Sequence, residues 1–239
     1  MANSETRTLS PFHFKQFSIY HHKSSMPVGT DAVLLAALIT FNKPKRILDV
    51  GTGCGVLALI MAQRFPSSQI DAIDIDLDSI VEAEQNFLNS PWNNRLFVSK
   101  TSFQNYKNNP YDLIISNPPY YQNGYPISSE SRRLARSQAQ LTFAEFLANA
   151  ERLLNPDGEI AVVLPQSTVC SFTEIAEKGS FHIYRRIEIS ANNKKPVSLH
   201  VIQLKREPSK VITERLLIRE GNHYSATYLR LMKPYYLFA

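Results

Sequence analysis

The segment Asp49-Val50-Gly51-Thr52-Gly53-Cys54-Gly55 constrains this chain more than any other. It lies between a short β-branched run, Arg46 to Val50 (RILDV), and an apolar stretch of helical character, Gly55 to Arg64 (GVLALIMAQR). A strand that ends in closely spaced glycines and reopens as a helix can turn sharply and let a ligand lie against bare main chain. The spacing separates this turn from two common phosphate loops. A dinucleotide fingerprint needs its third glycine where Val56 stands, and a P-loop needs a lysine and a hydroxyl that are absent here. The turn therefore suits a ligand without a pyrophosphate, and S-adenosylmethionine meets that description. Read only as local structure, the same glycines make a tight turn.

The rest of the chain repeats the alternation of strand and helix. Gln69 to Ile75 (QIDAIDI) predicts a second strand, and Leu77 to Leu88 an amphipathic helix with acids early, where the helix dipole favours them. Leu96 to Ser99 and Asp112 to Ser116 (DLIIS) follow as strands, the latter stopped by Asn117-Pro118-Pro119 because proline cannot continue a central strand. Thr142 to Leu154 predicts a helix ending at the turn cluster Asn155-Pro156-Asp157-Gly158, and Glu159 to Leu164 a fifth strand. Phe181 to Ser190 and Ser198 to Lys205 alternate across a Lys-rich turn, which predicts an antiparallel pair. The pattern is that of an α/β fold: a doubly wound, seven-stranded, mostly parallel sheet with an antiparallel C-terminal edge hairpin. With 239 residues and no Gly/Ser-rich or Pro-rich linker, the expectation is a single domain over 1–239. An N-terminal arm (1–28) and a C-terminal extension (207–239) are expected to pack on it.

Composition excludes several classes. No apolar run is long enough for a membrane-spanning helix, and the polar stretch Met1 to Pro11 lacks a secretory core. Two cysteines, Cys54 and Cys170, are too few for a disulfide framework or a zinc site. These features predict a cytoplasmic protein without a metal. The net charge of +5 leans towards a polyanionic partner. Arg132, Arg133 and Arg136 cluster, and from Lys205 onwards seven Lys or Arg face three Glu. Such clusters equally describe a solvated surface.

Candidate chemistry gathers where strands end. Asp74, closing the second strand, can accept hydrogen bonds from both ribose hydroxyls of a nucleoside lying over the sheet edge. Asp76 and Asp78 suit the start of the next helix better. After the third strand, Lys100-Thr101-Ser102-Phe103 carries no acid, so Ser102 is the candidate contact for an adenine amine. Asn117-Pro118-Pro119-Tyr120 follows the fourth strand on the same edge. A nitrogen conjugated to a ring is a poor nucleophile because its lone pair is delocalised. The Asn117 amide oxygen and the Pro118 carbonyl can each accept one N–H of such an amine, orienting it and favouring the pyramidal transition state. Pro118 and Pro119 restrict φ and hold that carbonyl rigidly, and Tyr120 can stack on a flat target.

These residues resemble Rossmann-like class I N-methyltransferases of amino groups. Segments outside the shared core narrow the likeness: Phe12 to Phe17 (FHFKQF), Met26 to Leu35 (MPVGTDAVLL), Arg132 to Arg136 (RRLAR) and the tail Tyr235-Tyr236-Leu237. Together they resemble the bacterial tRNA1(Val) (adenine(37)-N6)-methyltransferases over nearly the whole chain. The resemblance implies methylation of the N6 amine of adenine 37, in the anticodon loop. It also implies that Gly29, Thr30 and Asp31 open a helix that helps close the cofactor pocket, and that Lys15 and Gln16 lie near the active site. With the candidates already read at the strand ends, the cofactor set is Thr30, Asp31, Asp49, Gly51, Gly53, Gly55, Asp74, Ser102 and Asn117. Lys15, Arg132, Arg133 and Arg136 are the RNA candidates, the arginines being placed either on phosphates or on a helix surface paired with Glu130 or Glu145. An unpaired anticodon-loop base costs less to extrude than a duplex base. Two rivals remain: a protein glutamine N5-methyltransferase with the same Asn-Pro-Pro-Tyr turn, and a non-catalytic RNA-binding protein on the same fold.

Overall fold

The computed structural model describes residues 10–24, 28–118 and 141–239. Its main sheet is built from β3 (Arg46–Val50), β4 (Gln69–Asp74), β5 (Leu96–Lys100), β6 (Tyr111–Ser116), β7 (Leu154–Pro165), β8 (His182–Ser190), β9 (Val197–Lys205) and β10 (Ile212–Leu217). Two short strands, β1 (Phe12–His13) and β2 (Ser18–Ile19), pair in the N-terminal arm. The helices are α1 (Thr30–Leu38), α2 (Val56–Arg64), α3 (Leu77–Leu88), α4 (Phe143–Leu153), α5 (Gln166–Lys178) and α6 (Ala226–Met232). Strand order is β10-β8-β9-β7-β6-β3-β4-β5. Pairings from β7 through β6, β3 and β4 to β5 are parallel, whereas β9 runs antiparallel to both β7 and β8.

Alternation along the strands feeds two cores. Ile47, Leu113, Ile115, Ala161 and Val163 face the layer that holds α1 and α2. Leu48, Ile114, Ile160 and Val162 face the layer that holds α4 and α5. Strands buried on both faces read as continuous apolar runs, which is why RILDV and DLIIS stand out in the sequence. The helices start where local chemistry directs. Asp76 caps α3 by accepting from the Ser79 amide and hydroxyl, as its position after β4 suggested. Thr142 and Glu145 form a reciprocal capping box at α4.

The seven expected strands are present, and β10 adds an eighth, parallel to β8. It was not legible because its Thr213, Glu214 and Arg215 are exposed and break any apolar alternation. Charge of that kind suits an edge strand, which would otherwise offer open backbone groups to other chains. Glu214 pairs with Arg185 of β8 at 2.6 Å. The turn cluster at Asn155–Gly158 sits inside β7: Tyr111 pairs with Leu154 but Leu113 with Glu159, so the intervening residues bulge from the ladder. Among the described residues, no helix is long and apolar enough to cross a membrane.

Candidate active site

Register brings the expected residues to one edge. Val50 of β3 lies opposite Ser116 of β6 and Ile73 of β4. The chain therefore leaves three neighbouring strands at the same level, through Gly51, Asn117 and Asp74. Side bonds lock this row: Ser116 Oγ donates to the Val50 carbonyl at 2.7 Å, and the Gly51 and Thr52 amides donate to the Ile73 carbonyl at 2.9 and 3.0 Å. The Thr101 amide donates to the Asp74 carbonyl at 2.9 Å, bringing the half-buried Ser102 alongside.

The glycines divide by role. Gly51, Gly53 and Gly55 have φ of +74°, +54° and +87°, a left-handed backbone that side chains resist. A Cβ on Gly51 or Gly53 would meet nothing within 4 Å among the described residues, so bare main chain faces open space. A Cβ on Gly55 would instead lie 2.5 Å from the Phe87 ring of α3. The absent side chain of Gly55 serves helix packing.

The two acids differ. Asp74, half-buried, accepts from the Gly53 amide at 2.9 Å and the Asp76 amide at 3.0 Å, one on each oxygen. Burial raises its carboxyl above the usual range, and those amides oppose the shift. Asp49 is buried beneath the turn, where its Oδ2 accepts from the Thr52 hydroxyl at 2.7 Å. Its Oδ1 has no hydrogen bond of ordinary geometry among the described residues. Burial pushes the Asp49 carboxyl up to about 7, with Thr52 and the Ala58 amide pulling the other way and Asp74 adding to the rise.

A carboxyl raised in the folded state favours folding most when neutral. The Asp49 contribution is complete below its unfolded value near 4 and is lost as pH rises through about 7. Asp49→Asn keeps an acceptor for Thr52 and removes the titration. Its stability relative to the parent should rise by a few kcal/mol (order of magnitude) between pH 4 and pH 8. Urea unfolding of both proteins at the two pH values checks this, and parallel pH profiles would show that Asp49 titrates normally.

Other expected residues fall as follows. Thr30 and Asp31 open α1, whose N-cap is Gly29, and burial raises the Asp31 carboxyl. Arg64, in the last turn of α2, donates to the Ala36 and Ile39 carbonyls at the end of α1. The two helices thus run side by side in one direction, with Thr30 and Asp31 at the glycine-turn side. Asn117 and Pro118 are half-buried. Pro119, Tyr120, Arg132, Arg133 and Arg136 lie outside the described residues. The Glu145 carboxylate, considered as an arginine partner, accepts from the Thr142 amide and hydroxyl.

Lys15 is held by the C-terminal segment, its ammonium donating to the Lys233 and Ala239 carbonyls at 2.7 and 2.8 Å. Two of its three donors are thereby committed. Cys54 is a buried packing residue whose thiol burial pushes up to about 12. One residue escaped sequence reasoning. Ile75, immediately after Asp74, is 40% exposed at the end of an otherwise buried strand. An apolar residue directly after the strand-end acid was the available signal.

An open, doubly wound sheet with a β9 reversal, and a glycine turn, an acid and an Asn-Pro step on one carboxyl edge, is the architecture of the Rossmann-like class I methyltransferases. Solved structures agree on the fold. A predicted O-methyltransferase from Agrobacterium tumefaciens superposes with a TM-score of 0.68 at 15% identity, over 85% of this chain and 96% of that one. A methyltransferase from Pyrococcus furiosus superposes at 0.60 and 20% identity, over 80% and 90%. The family model described as methyltransferase small domain matches residues 23–185. The tRNA1(Val) (adenine(37)-N6)-methyltransferase of Tolumonas auensis is 38% identical, over 95% of this chain and 96% of its own. That of Flavobacterium johnsoniae is 37% identical, over 95% and 99%. The chain belongs to this tRNA1(Val) (adenine(37)-N6)-methyltransferase family.

Proposed function

We propose that this protein transfers a methyl group from S-adenosylmethionine to the N6 amine of adenine 37 in the anticodon loop of tRNA1(Val). The observation that carries the proposal is the Val50–Ser116 register, which sets the Asn117-Pro118 step beside the glycine turn. The residues at this edge fit the cofactor. Open main chain at Gly51 and Gly53 accommodates a close ligand. Asp49, buried beneath the turn, bonds the Thr52 hydroxyl and so shapes the main chain that would receive the ligand. Each Asp74 oxygen already takes one amide and retains a further lone pair for a ribose hydroxyl. The exposed face of Ile75 offers an apolar wall for the adenine, with Ser102 as its polar neighbour. Thr30 and Asp31 border the same space from α1.

The cofactor supplies an electrophilic methyl group. This chain's part is to present the amine. Asn117 Oδ1 and the Pro118 carbonyl accept its two N–H groups, turning the nitrogen lone pair out of conjugation with the ring. The methylated amine is acidic and releases its proton to water, so no strong base is required. By the chemistry read from the sequence, Pro119 stiffens the turn, Tyr120 stacks on the extruded base, and Arg132, Arg133 and Arg136 contact phosphates. Lys15 contributes to RNA binding through its remaining donor. A tRNA substrate places this work in the cytoplasm.

The test is transfer of a labelled methyl group from S-adenosylmethionine to bulk bacterial tRNA, followed by nucleoside analysis. Labelled N6-methyladenosine, lost when adenine 37 of tRNA1(Val) is replaced, is expected. Label on a glutamine-containing peptide and on no nucleoside would move the assignment to protein glutamine methylation. A protein that binds tRNA and transfers no label would be the non-catalytic alternative.

A further inference from the structure

The buried carboxylate of Glu82 takes no part in the chemistry above. It lies on α3 at 4% exposure, and no lysine or arginine pairs with it among the described residues. An isolated buried charge is costly unless hydrogen bonds satisfy it. Here they do: Oε1 accepts from the His22 and Lys23 amides at 2.7 and 2.9 Å, and Oε2 from the Ser24 amide at 2.8 Å. Three consecutive backbone donors form a concave nest for one anion. The charge thus fixes the backbone of the N-terminal arm where helix or sheet pairing does not.

One turn further along α3, Asn86 is 1% exposed and holds the arm again. Its Oδ1 accepts from the Tyr20 amide, and its Nδ2 donates to the Tyr20 carbonyl, both at 2.8 Å. The same Nδ2 donates to the Cys54 carbonyl at 2.9 Å, inside the glycine turn. One side chain therefore bonds both the arm and the turn. Residues 20–24 run along α3 towards its start.

We infer that Glu82 and Asn86 are positioning residues for the cofactor site, fastening residues 20–24 to α3 and coupling them to the glycine turn through the Cys54 carbonyl. This rests on the S-adenosylmethionine reading of that turn. Neither side chain touches the ligand. Their effect is to hold the Gly51–Gly55 main chain in the arrangement that receives it, so that binding need not order the arm.

Glu82→Gln puts an amide NH2 against backbone donors, and Asn86→Leu removes all three Asn86 bonds. Each variant is expected to raise the S-adenosylmethionine Kd by about ten-fold, as loss of a buried acceptor would. Turnover at saturating cofactor should stay within about two-fold, since the Asn117-Pro118 step is untouched. Trypsin should cut after the exposed Lys23 faster in both. Glu82→Asp, which keeps the anion on a shorter stem, should recover part of the affinity and of the resistance to trypsin. Faster cleavage with unchanged Kd would reduce the clamp to a local structural feature and overturn the inference. So would a fall in turnover at saturating cofactor with Kd unchanged. A parent protein that binds no S-adenosylmethionine would overturn the cofactor reading itself. Should Glu82→Gln fail to fold, Asn86→Leu carries the same comparison.

Discussion

Asn117→Ala is expected to lower methyl transfer by at least about a hundred-fold while leaving S-adenosylmethionine affinity within about two-fold. The division follows from the backbone. Ser116 Oγ on the Val50 carbonyl holds the end of β6 against β3 whatever side chain follows, so the glycine turn and Asp74 keep their places. The substitution takes away an acceptor whose value is greatest in the transition state, when the amine nitrogen leaves conjugation and its N–H groups grow more acidic. Losing an interaction made mainly in the transition state lowers turnover and catalytic efficiency together. Asn117→Asp retains an acceptor oxygen at the same position and should fall between alanine and the parent. Single-turnover transfer to tRNA, paired with calorimetric cofactor binding, separates the two effects. Loss of cofactor binding in the alanine variant would make the cofactor role, which the sequence also offers for Asn117, its main one in place of holding the target amine.

The parts of the site that sequence exposed are those whose chemistry is local in the chain. Gly51 and Gly53 follow a β-branched run, Asp74 closes the next, and Asn117-Pro118 stops the fourth, so strand ends mark them without knowledge of the sheet. Parallel pairing then does the assembly, because strands that all run the same way deliver their ends to one edge. What remained hidden depends on partners distant in sequence. Glu82 looks like one more acid on an amphipathic helix until the amides of residues 22–24 are seen upon it. Lys15 reads as an RNA candidate near the active site, and its carbonyl partners at Lys233 and Ala239 could not be seen from the sequence. β10 escaped because edge strands are kept polar by the need to avoid further pairing.

Gly55 shows the same limit in a single residue, and gives the largest expected loss of stability. All three glycines in the turn have positive φ, so alanine at any of them carries a conformational cost of about 1–2 kcal/mol. At Gly51 that cost stands alone, because no described atom lies within 4 Å of the added methyl. At Gly55 the methyl would sit 2.5 Å from Phe87 Cε1, 3.1 Å from Cζ and 3.4 Å from the Ala83 Cβ. The Phe87 ring is buried at 3% exposure and cannot swing into solvent, so α3 must shift away from α2. Overpacking of this kind adds about 1–3 kcal/mol. Gly55→Ala should therefore cost about 2–5 kcal/mol in urea unfolding, and Gly51→Ala clearly less. Phe87→Leu placed in the Gly55→Ala background should recover stability, whereas in the parent it should cost stability by leaving a cavity. That reversal of sign is the signature of a steric clash. Equal losses at Gly51 and Gly55, with no coupling to Phe87, would mean that the left-handed backbone alone requires glycine there and that α2 and α3 have room to spare.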